Sequence, residues 1–315
     1  GDGYSKMSDW FFQMVFCATA MSIVSGTIAE RIKLVPFLIF AIFLTGIIYP
    51  IQGSWTWGGG WLSEMGFSDF AGSTIVHSVG GWAALTGALI IGPRIGKYGP
   101  NGQVNAIPGS NLPLATIGTF ILWFGWFGFN GGSQLALGSA ADAAAIANVY
   151  VNTNMAACAG LVAALVLSIL LYKKTDLTFV LNGALAGLVA ITAGPDVATP
   201  LQAMIIGAIG GILTTLAIPL LDKVGVDDVV GAISVHLVSG IWGTLAVAIP
   251  GLNGSGDMGT QIIGILAIGI FTVILSAIGW FVLKAVYGLR PTEEEENVGL
   301  DISELGMDAY PEFKN

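Results

Sequence analysis

Long apolar runs constrain this chain more than any other feature of its sequence. The 315 residues contain nine such runs with almost no charged side chains, and the whole chain is 54% hydrophobic but only 10% charged. A soluble domain carries about 25% charged residues, and an α-helix crosses a bilayer in about 20 mainly apolar residues. The sequence therefore predicts an all-α polytopic membrane protein. It excludes an ordinary cytosolic enzyme, a nucleic-acid-binding protein and a disordered chain.

The distribution of basic residues predicts how the spans are oriented. The nine runs lie at residues 9–28, 34–53, 71–91, 112–132, 153–172, 178–194, 199–221, 229–250 and 259–286. Ten of the eleven Lys and Arg residues lie at or after the ends of the odd-numbered runs, and only Lys6 lies on the other side. Basic residues concentrate in cytoplasmic loops. We therefore expect an outside N-terminus and a cytoplasmic acidic tail at 290–315, in a cell membrane.

The two histidines of the chain lie inside apolar runs and share a motif. Asp69-x-x-Gly72-x-x-x-Val76-His77-x-x-x-Gly81 recurs as Asp228-x-x-Gly231-x-x-x-Val235-His236-x-x-x-Gly240. By the predicted orientation the two copies enter the membrane from opposite faces, as in an inverted repeat. Eight helical residues rise about 12 Å, so each histidine is expected near the middle of a hydrocarbon core about 30 Å thick. Ionisable side chains at that depth indicate a functional role.

The repeat also predicts a helix count. Residues 92–250 hold five predicted spans and end with the His236 span, whereas residues 1–91 hold three and end with the His77 span. Equivalent halves require two further spans before Asp9. We therefore expect an inverted five-plus-five helix repeat plus one extra C-terminal helix at 251–289, with nine of eleven spans present. The alternative is that the first half has three spans only.

Aromatic and weakly polar residues accompany the histidines. Trp57 and Ser133 are both expected at the outer surface, and Asp69 follows Trp57 closely in the sequence. An indole face attracts small cations, and neutral imidazole accepts a hydrogen bond or a proton. These groups suit a solute that is a cation in water and becomes neutral by losing a proton, as ammonium does and potassium does not.

The sequence resembles the Amt branch of the Amt/MEP/Rh ammonium transporter family along essentially its whole length. The resemblance rests on Ala29–Ile32, Trp57–Gly60, Asp69–Gly72 leading to His77, Gly125–Asn130 through Ser133, and Asp227–Asp228 leading to His236. It implies an eleven-helix fold, a homotrimer with one pore per subunit, and transport of ammonium or ammonia. Family members also bind PII-type regulatory proteins at their cytoplasmic face.

The same resemblance assigns eight residues to a pathway through the membrane. They are Phe16, Trp57 and Ser133 at the outer ammonium site, Phe16 and Phe129 at the gate, His77, His236 and Trp126 in the pore, and Asp69 beside the outer site. Asp69 would organise that site and aid deprotonation rather than contact the ion permanently. No enzymatic activity, metal or cofactor is expected.

Three other functions remain open on the sequence. An ammonium sensor would use the same site for signalling. A neutral-gas or urea channel would not need the cation site that Trp57 and Ser133 favour. A membrane enzyme with a histidine metal centre would need more ligands than two histidines and one nearby carboxylate.

Smaller features complete the expectations. Cys17 and Cys158 are read as buried hydrophobic residues without a disulfide. The spacings Gly183-x-x-x-Gly187 and Gly207-x-x-x-Gly211 predict close helix contacts, either within the chain or between subunits. The run Glu293–Glu296 is read as a solvated acidic segment.

Overall fold

Helices carry the apolar runs in a computed structural model that describes residues 4–313. Residues 1–3 and 314–315, which include Lys314 of the predicted tail, lie outside the described residues. The long helices are α1 (Lys6–Ile28), α2 (Leu34–Ser54), α3 (Ser73–Ile91), α4 (Leu112–Gly132), α5 (Ala140–Tyr172), α6 (Leu177–Ile191), α7 (Pro200–Lys223), α8 (Ile233–Ala246) and α9 (Met258–Val286). Short helices follow α2 at Trp61–Glu64 and α9 at Glu293–Val298, Leu300–Ser303 and Pro311–Phe313.

Each predicted span overlaps one of these nine long helices. Seven of them are long and apolar enough to cross a membrane, and α6 and α8 are shorter apolar helices. Within residues 4–313 the structure contains no strand, and one isolated bridge joins Tyr98 to Val104. The predicted class, an all-α membrane protein, is therefore confirmed. The number of membrane crossings, nine, stays a prediction.

Helix α5 is longer than its predicted span and begins at Ala140 rather than at residue 153. Ser139 and Asp142 form a capping box that starts the helix, and the Ala-rich turns that follow favour helix without being strongly apolar.

The prediction that both cysteines are buried is wrong. Cys158 is exposed and Cys17 is only half-buried, and both are free thiols.

Glycines bring α5, α6 and α7 into close contact. A Cβ at Gly183 would lie 2.7 Å from the Gly160 carbonyl oxygen, and a Cβ at Gly207 would overlap the Ala156 carbonyl. Small residues let helix backbones approach where bulkier side chains would hold them apart. The two predicted glycine spacings therefore lie in contacts within one chain.

The two copies of the histidine motif start α3 and α8 in the same way. Gly72 and Gly231 have φ values of +107° and +79°, a left-handed conformation that glycine adopts at little cost. A π-helical segment begins each helix, at Ser73–Ser78 and Ile233–Val238, and each segment contains the motif histidine. Single π turns inside helices are frequent at functional sites.

The last glycine of each motif lies where α3 and α8 cross. A Cβ at Gly81 would lie 2.6 Å from the Cβ of Leu237, and a Cβ at Gly240 would overlap the Ser73 carbonyl oxygen. Each motif thus provides the glycine that accommodates the other motif's helix.

Hydrogen bonds place the two motifs at opposite ends of α3. The first motif begins at Asp69, just before the start of α3. Beyond the other end of α3, Arg31 donates to the carbonyl oxygens of Gly92 (2.7 Å) and Asp227 (2.8 Å), and Asp227 directly precedes the second motif. This arrangement is what an inverted repeat requires.

We define the basic face as the face where α1, α3 and α7 end. Its centre is Asp227, whose side chain is buried and accepts two hydrogen bonds from the Arg94 guanidinium, at 2.9 and 3.0 Å. Arg94 also contacts Glu30 at 2.8 Å. Burial alone would raise the pKa of Asp227, but the hydrogen bonds and charge of Arg94 outweigh burial and hold this pKa below its usual value.

The acidic segment after α9 packs onto the basic face. Glu296 accepts hydrogen bonds from Arg290 at 2.7 Å and from the Ile95 backbone N–H at 3.0 Å, and its side chain is only 7% exposed. Glu304 accepts from the Leu34 backbone N–H at 2.9 Å. The interpretation of Glu293–Glu296 as a solvated run is therefore wrong for Glu296, because the Arg290 guanidinium and the Ile95 N–H in the loop after α3 both bind its carboxylate.

We define the Trp57 face as the opposite face, formed by the loops after α2, α6 and α8. Phe70 donates its backbone N–H to Ala193 (2.9 Å), and Asn253 donates its side-chain amide to Gly194 (3.1 Å). At the start of α9, Gln261 exchanges two hydrogen bonds with the Ser68 backbone. These bonds fasten the three loops to one another.

We expect Gly207→Ala to lower the unfolding midpoint of the detergent-solubilised protein far more than Gly118→Ala. The methyl group at position 207 would overlap the Ala156 carbonyl, whereas a Cβ at Gly118 on α4 has nothing within 4 Å. Overpacking costs about 1–3 kcal/mol, and a free Gly-to-Ala change in a helix stabilises by about 0.5–1 kcal/mol. Thermal unfolding of both variants tests this, and equal midpoints would contradict the packing described.

We expect Asp227→Asn to destabilise the protein at neutral pH by about 3 kcal/mol, because it leaves the buried Arg94 charge without its main partner. Glu30→Gln removes the exposed partner of the same arginine and should cost at most about 1 kcal/mol. Folding lowers the pKa of Asp227. The stability that its carboxylate contributes is therefore fully present above the ordinary carboxyl pKa of about 4, and it is lost as the pH falls through the lower native pKa. Unfolding midpoints measured against pH should therefore converge for wild type and Asp227→Asn only in acid.

Candidate functional site

Five rings form a continuous column from the Trp57 face into the protein. The Trp57 indole lies edge-on to Phe16, with 5.8 Å between ring centroids, and Phe16 stacks on Phe129 at 4.1 Å. Phe129 stacks on His77 at 5.4 Å, and His77 stacks on His236 at 5.2 Å. Helices α1, α4, α3 and α8 and the loop after α2 each contribute to this column, which is built from residues far apart in the sequence.

The two histidines contact each other through their rings. Their Nδ1 atoms are 3.2 Å apart, so one ring donates a proton and the other accepts it. That shared bond leaves one bare Nε2 and one Nε2–H on the pair. His77 is fully buried, and its Nε2 has no hydrogen-bond partner among the described residues. The pair therefore offers one acceptor and one donor to a small solute.

Trp126 is held beside the histidines by a hydroxyl group. Its indole stacks on His77 at 4.9 Å between centroids, and its Nε1–H donates to Thr192 Oγ1 at 2.8 Å. Thr192 lies 3.2 Å from Asn130 Oδ1, and the Asn130 amide donates to Thr153 at 2.9 Å. Sequence reasoning missed Thr192; the available signal was a hydroxyl residue at the end of an apolar run.

Asp69 orients both Trp57 and the start of α3. Its backbone carbonyl accepts the Trp57 indole N–H at 3.1 Å. Its carboxylate accepts four backbone N–H groups, those of Gly72, Ser73, Thr74 and Ile75, at 2.8–3.0 Å. Burial raises the pKa of Asp69 more than these four bonds lower it, and the net result is a pKa of about 6. The carboxylate is thus occupied by the backbone, in keeping with an organising role.

Asp228 makes the equivalent contacts at the start of α8. Its carboxylate accepts the backbone N–H groups of Ala232 and Ile233 at 3.0 and 2.8 Å, and the hydroxyl of Thr27 on α1 at 2.8 Å. The motif aspartates therefore have the same structural task at the two ends of the molecule.

Ser133 lies just beyond α4, one turn after Phe129. Its hydroxyl donates to the Phe129 carbonyl oxygen at 2.9 Å, so the oxygen lone pairs stay free to accept a hydrogen bond. This bond joins Ser133 to Phe129, whose ring stacks on Phe16. Of the eight predicted site residues, the structure brings seven into one connected set of ring and hydrogen-bond contacts, and Ser133 extends it through Phe129.

Aromatic rings surround the histidine pair. Within residues 4–313 no group of three or more His, Cys, Asp or Glu side chains is close enough to bind a metal ion. The surroundings of the pair are aromatic instead, with Trp126 and Phe129 against His77. This arrangement suits hydrogen bonding and proton exchange with a small molecule.

Comparison with known proteins shows the family. The model of the Ammonium Transporter Family matches residues 2–310. The ammonium transporter Amt2 of Archaeoglobus fulgidus is 45% identical over 99% of this chain and 72% of its own length. The ammonium transporter of Bacillus subtilis is 36% identical over 95% of this chain and 74% of its own length.

Solved structures show the same similarity. A structure described as a sensor Amt protein matches with a TM-score of 0.89 and 45% identity, covering 94% of this chain and 76% of that one. The crystal structure of Candida albicans Mep2 matches with a TM-score of 0.78 and 28% identity, covering 89% of this chain and 65% of that one. Because the family model spans almost the whole sequence and close relatives are covered over most of their length, the chain belongs to the Ammonium Transporter Family.

Proposed function

We propose that this chain conducts ammonium, or ammonia together with a proton, across a cell membrane along the ring column. The proposal rests on one observation above all, the uninterrupted contact from Trp57 through Phe16 and Phe129 to the paired histidines. A column of this kind has no ring of carbonyl or carboxylate oxygens that would replace the water shell of a metal ion.

In the proposed mechanism the Trp57 face is outside and recruits the cation. The faces of Trp57 and Phe16 attract ammonium through cation–π interaction, and the Ser133 oxygen accepts one of its N–H groups. Phe16 and Phe129, stacked at 4.1 Å, close the path beneath this site. Ammonium must therefore part the two rings and lose most of its hydration before it moves further.

The histidines act below the gate. Desolvation in an apolar column disfavours the charged solute, so ammonium passes its proton to water at the outer site or carries it as far as the histidine pair, with Asp69 holding the outer site in shape. Ammonia then donates a hydrogen bond to the bare imidazole nitrogen, or the pair takes up a proton in transit. Trp126 keeps His77 in position through its ring contact.

Assembly and regulation follow the family in this proposal. The chain would form a homotrimer with one pore per subunit in the cytoplasmic membrane, with the basic face and the tail inside. A PII-type regulatory protein would contact that basic face. Only four of the 21 residues of helix α4 are buried. The helix therefore offers an apolar side to lipid or to a neighbouring subunit.

An ammonium sensor is the second candidate. The observation that favours it is the similarity to the structure described as a sensor Amt protein, at a TM-score of 0.89. A sensor would bind ammonium at the same outer site without sustained conduction. A neutral-gas channel would use the histidines but would not saturate with a cation.

We expect the double variant His77→Ala, His236→Ala to lose ammonium current by about fivefold to a hundredfold, because the desolvated solute is left with an unmade hydrogen bond that costs about 1–3 kcal/mol. Proteoliposomes on a solid-supported membrane would receive an ammonium pulse, with a potassium pulse to test selectivity. Phe124→Leu, on the exposed side of α4, is the matched control and should conduct normally.

An unchanged current in the double histidine variant would place the pathway elsewhere. If the wild-type protein gave no current but ammonium raised its unfolding midpoint, the sensor function would replace the transporter function.

We expect Asp69→Asn and Asp228→Asn to destabilise the protein similarly, since each weakens the capping of one histidine helix by about 1–3 kcal/mol. Ammonium current should fall further in Asp69→Asn, because loosening this cap also displaces the Asp69 backbone carbonyl that accepts the Trp57 indole N–H. Unfolding midpoints and currents measured on the same preparations test this. Equal current losses at equal stability would reduce Asp69 to a helix cap.

A further inference from the structure

The backbone carbonyl two residues before each histidine accepts a hydrogen bond from a side chain on another helix. On α3 this carbonyl belongs to Ile75, which accepts the side-chain amide of Gln52 on α2 at 2.9 Å. On α8 it belongs to Ser234, which accepts the hydroxyl of Thr214 on α7 at 3.0 Å. In each half of the repeat the donor lies on the long helix that precedes the histidine helix in the chain. The sequence analysis assigned no role to Gln52 or Thr214.

A π turn leaves one backbone carbonyl in need of another donor. Its hydrogen bonds span five residues, whereas those of an α-helix span four, so one carbonyl is passed over where π-helix gives way to α-helix. At this point in α3 the Val79 N–H is shared by the carbonyls of Thr74 and Val76. The Ile75 carbonyl lies between these two acceptors, and Gln52 donates to it. A buried carbonyl without a donor would cost free energy.

Gln52 is fully buried and uses both amide hydrogens on carbonyl groups. Besides Ile75, it donates to the carbonyl of Tyr49 on its own helix at 3.2 Å. Its Oε1 has no hydrogen-bond partner among the described residues. An amide buried in a membrane-spanning helix with one unmade bond is costly in itself. Its contribution therefore lies in the carbonyls that it binds.

Thr214 contacts the second π segment on both sides of the histidine. Its hydroxyl oxygen also lies 2.9 Å from Ser239 Oγ. Because the single hydroxyl hydrogen of Thr214 goes to the Ser234 carbonyl, Ser239 is the donor in this second contact. Ser239 directly follows the π segment Ile233–Val238, and Ser234 precedes His236 by two residues. One buried side chain on α7 therefore binds the segment both before and after His236.

The π turns determine which way the histidine helices face. A π turn contains one residue more than an α-helical turn, and an α-helix rotates by about 100° per residue. Loss of the π turn in α3 would therefore rotate the capped start of the helix by about 100° relative to Gly81, which packs against α8, and His77 lies between the two.

We propose that Gln52 and Thr214 are positioning residues for the histidine pair. They stabilise the two π turns and thereby hold the Nδ1 atoms of His77 and His236 at hydrogen-bond distance, 3.2 Å. They act on the solute through the imidazole rings. The importance of this positioning for transport rests on the ammonium conduction proposed above.

The first test uses ¹⁵N-histidine NMR of the untagged protein in lipid bilayers. The chain contains only two histidines, so the label reports on this pair alone, and wild type should give a cross-peak between the two Nδ1 atoms through the shared proton. Thr214→Val keeps the side-chain shape without the donor and should lose this cross-peak, whereas Thr214→Ser should retain it. Thr215→Val is the matched control and should also retain it, because Thr215 is equally buried but donates to Gly211 of its own helix at 2.8 Å.

The second test is ammonium current in proteoliposomes. Gln52→Met, which has a similar length without a donor, and Thr214→Val should each lower the current by about threefold to tenfold, because displaced rings keep part of what removed rings lose. In the His77→Ala, His236→Ala background neither substitution should lower the remaining current further, since a residue that acts through the rings has no effect once they are absent. Gln52→Met should also remove the NMR cross-peak.

An intact cross-peak in Thr214→Val and Gln52→Met would overturn the proposal, whatever happens to the unfolding midpoint. Loss of the cross-peak in Thr215→Val would also overturn it, in favour of a general disturbance of α7, and so would a further loss of current in the double histidine background. If Gln52→Met does not fold, the Thr214 series decides. Absence of current in wild type would instead overturn the proposed conduction, and the NMR comparison would still decide whether these side chains position the rings.

Discussion

The need to satisfy backbone N–H groups away from water underlies the geometry of this protein. In a membrane every unpaired donor at a helix start costs several kcal/mol, and the helices that carry the histidines both begin in the interior. Asp69 and Asp228 meet this need with carboxylates that accept the first N–H groups of α3 and α8. The aspartates thereby set where each π-helical segment begins and hence where His77 and His236 lie.

The inverted repeat explains why two similar helices are enough to build the histidine pair. Each motif contains a cap, a glycine with positive φ and a second glycine that accommodates the other helix, so each half prepares the surface that the other half needs. Gly81 lies against Leu237 and Gly240 against Ser73. Because both halves place the histidine at the same distance from its cap, the two imidazoles meet at 3.2 Å.

Sequence patterns predict the parts of this structure that repeat or that depend on composition. The apolar runs located the nine long helices of residues 4–313, and the spacing of the Asp and Gly residues around His77 and His236 predicted that both histidines would lie at the same depth. Contacts between distant segments carried no such pattern. Glu296 packs against Ile95 and Arg290, and Thr192 holds Trp126, through bonds that depend on how loops close. The early start of α5 was missed because helix propensity and hydrophobicity diverge between Ala140 and residue 153.

The paired arrangement of the histidines bears on which solute the proposed pathway accepts. With one proton shared between the Nδ1 atoms, the pair presents one bare nitrogen and one N–H. Ammonia donates and accepts hydrogen bonds, so it matches both groups, whereas a potassium ion matches neither and would have to shed its water among aromatic rings. A single imidazole could present the same two groups, but its tautomer would be free to change. The second ring removes that freedom, because exchanging the donor and acceptor ends requires the shared proton to move between rings. Selectivity in this pathway would therefore arise from the coupling of the two rings as well as from their chemistry.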